Sequence, residues 1–270
     1  MLRSFFGLDK APFQTDAIEL LPHQREVFDV LLVHCQQGGL CLLLGEPGCG
    51  KSMIKRALEM HDPKRMVVAS IGRTLHTYFN TVRILCSAFQ VDFEGGDFRC
   101  EKKLIEQAFK LNHQHKMIVP VIDDAHLMEI GTLRKLRLLL EEFPKNHNLI
   151  LIGQPELMTK IRLSVNEDIH SRVTYSALIP KLNPDQIRQF LLDQFDRCGL
   201  GHNVVTEEAL ALIIRSSEGI LRRARNLAIS AMIEAVRDQS RSVDLAQVNR
   251  ALIQPHWRNQ REPLLEEAAR

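Results

Sequence analysis

The octapeptide Gly-Glu-Pro-Gly-Cys-Gly-Lys-Ser at residues 45–52 constrains the fold of this chain more than any other feature. It follows the apolar run 40–44 and precedes a helical pattern that begins at Lys51. Its glycines let the backbone wrap so that successive N–H groups point at one anion. The spacing G-x-x-x-x-G-K-[ST] between a strand and a helix is typical of the loop that binds nucleotide phosphates. The strand before it and the helix after it argue against a chance match.

Each position of this phosphate loop (residues 45–52) receives a predicted role. We expect the loop to surround the phosphates of ATP with the residues Gly45, Glu46, Pro47, Gly48, Cys49, Gly50, Lys51 and Ser52. The Lys51 ammonium would reach the β- and γ-phosphates, and the Ser52 hydroxyl would coordinate Mg²⁺. The predicted cofactors are therefore ATP and Mg²⁺.

A carboxylate for Mg²⁺ is expected at the end of a neighbouring strand. Asp123 and Asp124 come directly after the apolar run 117–122. Asp123 would hold Mg²⁺ through water, and Asp124 would orient or deprotonate the attacking water. The alternative is that both acids only open the next helix, as a cap and as first-turn charge. Because ligands bind at the carboxyl edge of parallel sheets, the position favours the metal site.

Apolar runs and helical patterns alternate through the first two thirds of the sequence. Strands are predicted at 40–44, 66–69, 117–122, 149–152 and 173–178. Helices are predicted between them, at 51–60, 74–90, 99–114 and 127–142. This alternation predicts an α/β fold with a parallel sheet and helices on both faces. Pro120 removes one ladder donor from a central strand, which a bulge or a one-sided pairing would accommodate.

The pattern changes after Pro180. Four helical segments follow without a strand between them, at 184–198, 206–216, 220–238 and 243–253. They predict a small all-helical lid domain. The sequence is therefore divided into an N-terminal lead-in and helix (1–38), a P-loop α/β domain (39–180), a helical lid domain (181–255) and a polar tail (256–270).

Composition limits the classes of partner. The net charge is only +2, so no overall field attracts the chain to nucleic acid or membranes, and any DNA contact needs a local patch. No apolar run is long enough to span a bilayer, and the N-terminus is too poor in apolar residues for a signal peptide. The six cysteines contain no C-x-x-C pair, which favours a reducing compartment. We therefore expect a cytoplasmic protein without a membrane span.

Several further segments carry a family resemblance. They are Phe5-Phe6-Gly7-Leu8 with Ala11-Pro12-Phe13, Asp123-Asp124-Ala125-His126, Leu151-Ile152-Gly153-Gln154-Pro155-Glu156-Leu157, Ser171-Arg172-Val173 and Gly219-Ile220-Leu221-Arg222-Arg223. Together with the phosphate loop, they resemble AAA+ ATPases of the ExeA/GspA-like group, which includes transposition helper ATPases (IstB/TniB/TnsC-like). The resemblance covers about residues 1–250. It implies an AAA+ core followed by a helical lid, and ATP hydrolysis as the activity.

Three more catalytic roles are implied by this resemblance. Gln154 would be the first sensor, between the water at Asp124 and the γ-phosphate, with a simple turn residue as the alternative. Arg172 would be an arginine finger that reaches the ATP of a neighbouring subunit in a homo-oligomer, with an ordinary surface arginine as the alternative. Arg222 would be the second sensor on the lid. A solvated helix face is its alternative, and Arg223 or Arg225 could serve instead.

The sequence departs from the family pattern at two positions. The family has Glu where this chain has Asp124, and it has Pro where this chain has Leu221. Aspartate is shorter by one methylene, and misplacing a catalytic group by about 1 Å can cost ~10²-fold in rate. Slow hydrolysis is therefore expected, and the Leu221 difference weakens the assignment of Arg222.

The first hypothesis for the biological role is a DNA-transposition helper. It would assemble as a ring or filament on double-stranded DNA and recruit or activate a transposase. Candidate DNA contacts are Arg73, Arg134, Lys135 and Arg137, with solvated surface charges as the alternative. The full-length secretion relatives of this group carry a membrane span and a wall-binding domain after the ATPase. The 270 residues contain neither, which favours a free-standing helper.

Two other hypotheses stay open. The chain could assist secretion or pilus assembly through protein partners, without contacting DNA. It could also be a nucleotide switch with slow turnover, as suggested by Asp124 in place of the family's glutamate. DNA-stimulated hydrolysis that weakens with salt would separate the first hypothesis from the second.

Overall fold

A computed structural model of the protein describes residues 1–14, 18–72, 77–92, 97–145, 147–201 and 203–257. The chain divides into two compact units. The sheet unit is Ile18–Pro180, and the helical unit combines Met1–Ala17 with Lys181–Arg270.

Five strands and twelve α-helices account for most of the described residues. The strands are β1 Gly39–Gly45, β2 Met66–Ile71, β3 Met117–Ile122, β4 Asn148–Gly153 and β5 Val173–Ile179. The helices are α1 Leu2–Phe6, α2 Pro22–Gln37, α3 Lys51–His61, α4 Tyr78–Ala88, α5 Asp97–His113, α6 Ile130–Glu141, α7 Glu156–Ile161, α8 Glu167–His170, α9 Pro184–Cys198, α10 Glu207–Ser217, α11 Leu221–Arg237 and α12 Leu245–Ile253.

All five strands pair in parallel, in the order β2-β3-β4-β1-β5. Alternate residues of the strands belong to two separate cores. Leu42 and Leu151 lie in a core with residues of α4, α5 and α6, whereas Leu43 and Ile150 lie in a core with residues of α2 and α3. Because successive strand side chains point to opposite faces, burial of both sets requires helices on both sides. The predicted α/β fold is confirmed.

One-sided pairing accommodates Pro120 in β3. This strand pairs with β2 along its whole length, from Met117 to Ile122. Its pairing with β4 involves only Val121 and Ile122. Pro120 therefore lies just before the part of β3 that pairs with β4. Along these two fully described strands, Pro120 itself has no paired residue in β4, so the N–H that proline lacks is not needed there.

The helical unit contains the N-terminal segment as well as α9 to α12. Leu8 is buried, and the Asp9 N–H donates a hydrogen bond of 3.0 Å to the Cys198 carbonyl. The Phe13 ring lies 6.0 Å from the Phe195 ring, centroid to centroid. Residues 1–14 thus pack with the helical unit, while α2 packs with the sheet. The predicted lead-in at 1–38 is therefore shared between the two units, with its first 17 residues in the helical unit and the rest in the sheet unit.

A close backbone contact joins the residues just before α11 to Lys181 and Leu182, where the second segment of the helical unit begins. Gly219 has φ +77°, and its carbonyl accepts a hydrogen bond of 2.9 Å from the Leu182 N–H. A Cβ at Gly219 would lie 3.0 Å from the Lys181 Cβ and still closer to the Leu182 carbonyl oxygen. Only glycine combines this left-handed conformation with so close an approach.

We expect Gly219→Ala to lower the free energy of unfolding of the helical unit by about 2 kcal/mol or more, since left-handed strain adds to a steric clash. Urea denaturation followed by the fluorescence of Trp257, the single tryptophan, measures this unit. Gly201→Ala is the matched control, because its Cβ would meet nothing closer than Val204 at 3.9 Å. Equal midpoints for the two variants would contradict the expectation.

Candidate nucleotide-binding site

The strand order brings the predicted site residues to one edge of the sheet. β3, β4 and β1 are consecutive neighbours, and all three run in the same direction. The residues that follow their carboxyl ends are Asp123, Gln154 and Glu46. Three segments that are far apart in the sequence therefore meet where parallel sheets bind ligands.

The phosphate loop turns sharply between β1 and α3. Gly48 and Gly50 have φ values of 88° and 106°, which side-chain-bearing residues rarely adopt. Gly50 is the N-cap of α3, and no described side chain caps this helix end. Because the first N–H groups of a helix lack partners within the helix, this end of α3 suits an anion.

Gly45 leaves space for a neighbouring side chain of the loop. A Cβ at Gly45 would lie 2.5 Å from the Cys49 Sγ and 3.3 Å from the Ile179 Cβ. Cys49 is buried, and burial raises the pKa of its thiol, although the Lys51 charge opposes the shift. The neutral thiol therefore acts as a packing group that shapes the loop from within.

Lys51 is held against the loop by backbone carbonyls. Its Nζ donates hydrogen bonds of 2.7 Å to the Gly45 oxygen and 2.9 Å to the Glu46 oxygen. The next residue, Ser52, is exposed. One ammonium and one exposed hydroxyl thus follow the loop in the order that a phosphate–metal site requires.

Asp123 forms an ion pair that was not predicted from the sequence. Its Oδ2 lies 2.6 Å from the Lys55 Nζ, and its Oδ1 accepts a hydrogen bond of 3.0 Å from the Asp124 N–H. Each side chain of the pair is only 18% exposed. Lys55 stands one helical turn after Lys51 on α3, so the i, i+4 spacing could have indicated that both point to the same side.

Asp124 has a left-handed backbone, with φ 52° and ψ 33°. It precedes a short 3₁₀ turn, Ala125–Leu127, and its carbonyl accepts a hydrogen bond of 2.9 Å from the Leu127 N–H. Aspartate tolerates this conformation better than most residues do. The side chain is exposed at the sheet edge, next to Asp123.

Side chains also join the ends of β3 and β4. The Gln154 Nε2 lies 2.8 Å from the His126 Nε2, and the Lys160 Nζ donates a hydrogen bond of 2.5 Å to the His126 carbonyl. A Cβ at Gly153 would lie 3.3 Å from the His126 N. His126 therefore holds Gln154 in position, a role that the Asp-Asp-Ala-His segment did not reveal in the sequence.

The donor set fits Mg²⁺ that arrives together with phosphates. The Ser52 hydroxyl and the Asp123 carboxylate are hard oxygen ligands. Among the described residues, no group of three or more His, Cys, Asp or Glu could hold a metal ion. Mg²⁺ commonly uses one or two carboxylates and completes its shell with phosphates and water, so a sparse set is what this ion needs.

Arg172 lies at the amino-terminal ends of the parallel strands, whereas the phosphate loop lies at their carboxyl ends. It directly precedes β5, whose first residue pairs with Leu40 and whose last residue pairs with Gly45. The seven residues of β5 separate the two edges by roughly 20 Å. The Arg172 side chain is 62% exposed, and its Nη2 lies 3.4 Å from the Glu141 Oε1. Arg172 thus lies far from the loop of its own chain.

The candidate DNA contacts have different surroundings. Arg134 pairs with Asp168 at 2.7 Å, and this hydrogen bond lowers the pKa of the Asp168 carboxyl. Arg137 pairs with Glu141 at 2.6 Å and with Asp168 at 3.8 Å. Lys135 is exposed, and Arg73 lies outside the described residues. Arg134 and Arg137 are thus held in ion pairs, whereas the Lys135 Nζ lies 5.9 Å from the centroid of the Tyr78 ring.

The lid arginines lie at the start of α11 in the helical unit. Arg223 pairs with Glu218 at 2.7 Å, and Arg225 donates a hydrogen bond of 3.3 Å to the Asn226 side chain. Arg222 is exposed and has no ion pair among the described residues. It is therefore the arginine of the three whose guanidinium is available to another group.

None of the described helices has both the length and the apolar character needed to cross a membrane.

Comparisons with known proteins agree with the resemblance seen in the sequence. Residues 33–161 match the model of a family described as an AAA domain. General secretion pathway protein A of Aeromonas hydrophila is 27% identical over 251 residues, which cover 87% of this chain and 45% of that protein. The chain thus spans less than half the length of this relative. The resemblance to the ExeA/GspA-like group of AAA+ ATPases is confirmed.

Solved structures share the fold at low sequence identity. Cdc6p from Pyrobaculum aerophilum superimposes with a TM-score of 0.71 at 18% identity, covering 92% of this chain and 70% of that chain. The Aeropyrum pernix ORC1 protein, solved in complex with DNA, has a TM-score of 0.66 at 17% identity over 87% of this chain and 66% of that chain. The RuvB branch migration motor of Thermotoga maritima has a TM-score of 0.55 at 16% identity over 92% and 72%.

The left-handed backbone of Asp124 predicts a pattern of stabilities. Asp124→Asn and Asp124→Gly should change the free energy of unfolding by about 0.5 kcal/mol or less, while Asp124→Val should lower it by about 1–2 kcal/mol. Thermal unfolding of the wild type and the three variants measures the difference. Glu129→Val is the control, because Glu129 is exposed in an extended backbone that valine adopts readily. If the Asp124→Val variant were as stable as this control, residue 124 would carry no strain.

Proposed function

Because the chain carries an AAA domain over residues 33–161 and has the AAA+ fold, we propose that it binds ATP with Mg²⁺ and hydrolyses ATP to ADP and phosphate. One observation supports this most directly. The Lys51 ammonium, the Asp123 carboxylate and the Gln154 amide follow or adjoin the carboxyl ends of three adjacent parallel strands. Cation, acid and amide converge there as ATP hydrolysis requires.

The proposed roles follow from chemistry and position. The loop backbone and Lys51 bind the phosphates, and Ser52 with Asp123 holds Mg²⁺, which neutralises charge on the phosphates when bound. Asp124 orients and deprotonates the attacking water. Gln154, held by His126, contacts that water and the γ-phosphate. Arg222 serves as the second sensor because it is exposed and, unlike Arg223 and Arg225, has neither an ion pair nor a side-chain hydrogen bond among the described residues.

Hydrolysis should be slow because aspartate reaches one methylene less far than the glutamate usual in this family. The left-handed backbone at residue 124 favours the shorter acid, since aspartate adopts this conformation more readily than most residues do. Slow turnover also supports the interpretation of the chain as a nucleotide switch.

Arg172 supports a homo-oligomer in which it completes the site of a neighbouring subunit. It lies at the amino edge of the sheet, roughly 20 Å along the strands from its own phosphate loop. Although Arg172 pairs with Glu141 at 3.4 Å, its side chain is 62% exposed and so accessible to another copy of the chain, where its charge would stabilise the transition state.

Two biological roles compete for this ATPase. The first is a DNA-transposition helper that binds double-stranded DNA and activates a transposase, and likeness to an ORC1 protein solved with DNA supports it. Lys135 is then the best DNA contact among the described candidates. The second is assistance to secretion through protein partners, which the relative named general secretion pathway protein A supports. We place either role in the cytoplasm, because all six cysteines are free and buried thiols.

ATP binding and turnover test the proposal. The wild type should bind ATP with Mg²⁺ and hydrolyse it, and Lys51→Ala should lose nucleotide binding because the phosphates lose their ammonium. Asp124→Asn should keep ATP affinity while hydrolysis falls by about 10²-fold or more, since the base is removed. A wild type without magnesium-dependent affinity for adenine nucleotides would refute the function.

The same assay with duplex DNA at two salt concentrations separates the roles. Stimulation by DNA that weakens as salt rises supports the transposition helper, because each phosphate contact steepens the salt dependence. Turnover that ignores DNA at both concentrations supports a protein partner.

Arg172→Ala should abolish the turnover that depends on protein concentration, a loss of about 10³-fold or more, and leave ATP affinity unchanged. Arg162→Ala removes another exposed arginine of the sheet unit and serves as the control. Mixing Arg172→Ala with Lys51→Ala subunits should restore turnover, because each supplies what the other lacks. Failure of the mixture to recover, with assembly intact, would exclude action between subunits.

A further inference from the structure

Both lysines of the first turns of α3 are engaged with groups of the same chain. Lys51 is bound by two loop carbonyls, and Lys55 is bound by the Asp123 carboxylate. The loop carbonyls adjoin the phosphate position, and the carboxylate is the metal position of the proposed site. In this structure, one ammonium group of the chain therefore contacts the loop carbonyls and another neutralises the Asp123 carboxylate.

Asp123 offers no oxygen without a donor. Oδ1 accepts the Asp124 N–H at 3.0 Å, and Oδ2 accepts the Lys55 ammonium at 2.6 Å. The pair is largely shielded from water, at 18% exposure for each side chain, so its attraction is screened less than that of a surface pair. A hydrated or bare Mg²⁺ needs one of these oxygens, and a second positive charge beside it is repelled by the ammonium.

Lys55 lies on a packed helix, so the fold determines its position. α3 packs against β1 and β2, and Lys55 is half-buried on it. A Cβ at Gly72, just after β2, would lie 3.9 Å from the Lys55 Nζ. The Asp123 N–H donates a hydrogen bond of 3.0 Å to the Ile71 carbonyl, which ties the acid to the same strand end. The ends of β2 and β3 thus hold the ammonium and the carboxylate together.

We propose that Lys55 is a positioning residue that occupies the metal carboxylate until a nucleotide brings Mg²⁺. Lys55 holds Asp123 ready and excludes free divalent cations, so that metal enters only together with phosphates, which supply compensating negative charge. This inference rests on the proposed function, and it assigns to Lys55 the coupling between metal binding and nucleotide binding.

Mn²⁺ binding to the nucleotide-free protein, measured by electron paramagnetic resonance, tests this role. Wild type should bind Mn²⁺ weakly. Lys55→Met should bind Mn²⁺ about tenfold more tightly or better. The metal then no longer competes with the Lys55 ammonium for Asp123, and one charge-assisted hydrogen bond corresponds to about that factor in affinity. Arg56→Met deletes the same charge from the neighbouring exposed position, and its affinity should stay within about twofold of wild type, as expected for a screened charge.

Two further variants keep the test decisive. Lys55→Gln retains a hydrogen-bond donor without the charge, so it should also tighten Mn²⁺ binding, and it answers the question if Lys55→Met does not fold. Adding Asp123→Asn to either variant should abolish the gain. Equal affinities for the Lys55 variants and Arg56→Met, or a gain that survives Asp123→Asn, would overturn the proposal.

Nucleotide binding separates this inference from the proposed function. If wild type binds ATP with Mg²⁺ but the Lys55 variants bind Mn²⁺ no better than Arg56→Met, the function stands and the role of Lys55 falls. If wild type binds no nucleotide, the function falls, and with it the coupling assigned to Lys55.

Discussion

The parallel pairing of β1 with β4, and of β4 with β3, is the constraint on which the candidate site depends. Leu44 pairs with Gly153 and Ile122 with Leu151, so the three strands end within about two residues of one another. A shift of one residue would turn each strand's buried side chains to the opposite face. Since both faces are packed by helices, the register is fixed on both sides, and the loop, the acids and Gln154 are fixed with it.

Local sequence predicted most of this arrangement because the elements are long and apolar. The strand at 117–122 and the helix at 184–198 match the structure at both ends. The short helices α1, α7 and α8 were missed, since four to six residues carry too little periodicity to distinguish a helix from a turn. The first three residues of the predicted helix 74–90 lie outside the described residues, and the helix in the structure is Tyr78–Ala88.

The partners in long-range ion pairs could not be predicted from the sequence. The basic cluster at residues 134–137 has the pattern of a surface patch, yet Asp168 comes from 34 residues further on and binds Arg134. Glu141 likewise connects Arg137 to Arg172, so one chain of ion pairs runs from α6 to the start of β5. Such partners follow from tertiary packing alone. By contrast, Lys55 lies four residues after Lys51, and the helix period alone places both on one side of α3.

The two edges of the sheet have unlike chemistry, and this difference bears on assembly. The carboxyl edge carries the phosphate loop and two acids, whereas the amino edge of β5 presents Arg172. If Arg172 completes a neighbour's site, the contact joins two different edges and is head-to-tail. Such contacts repeat from one subunit to the next, and they close into a ring or continue as a filament according to the rotation per step. Ring and filament are therefore two outcomes of one interface, and small changes in its geometry decide between them.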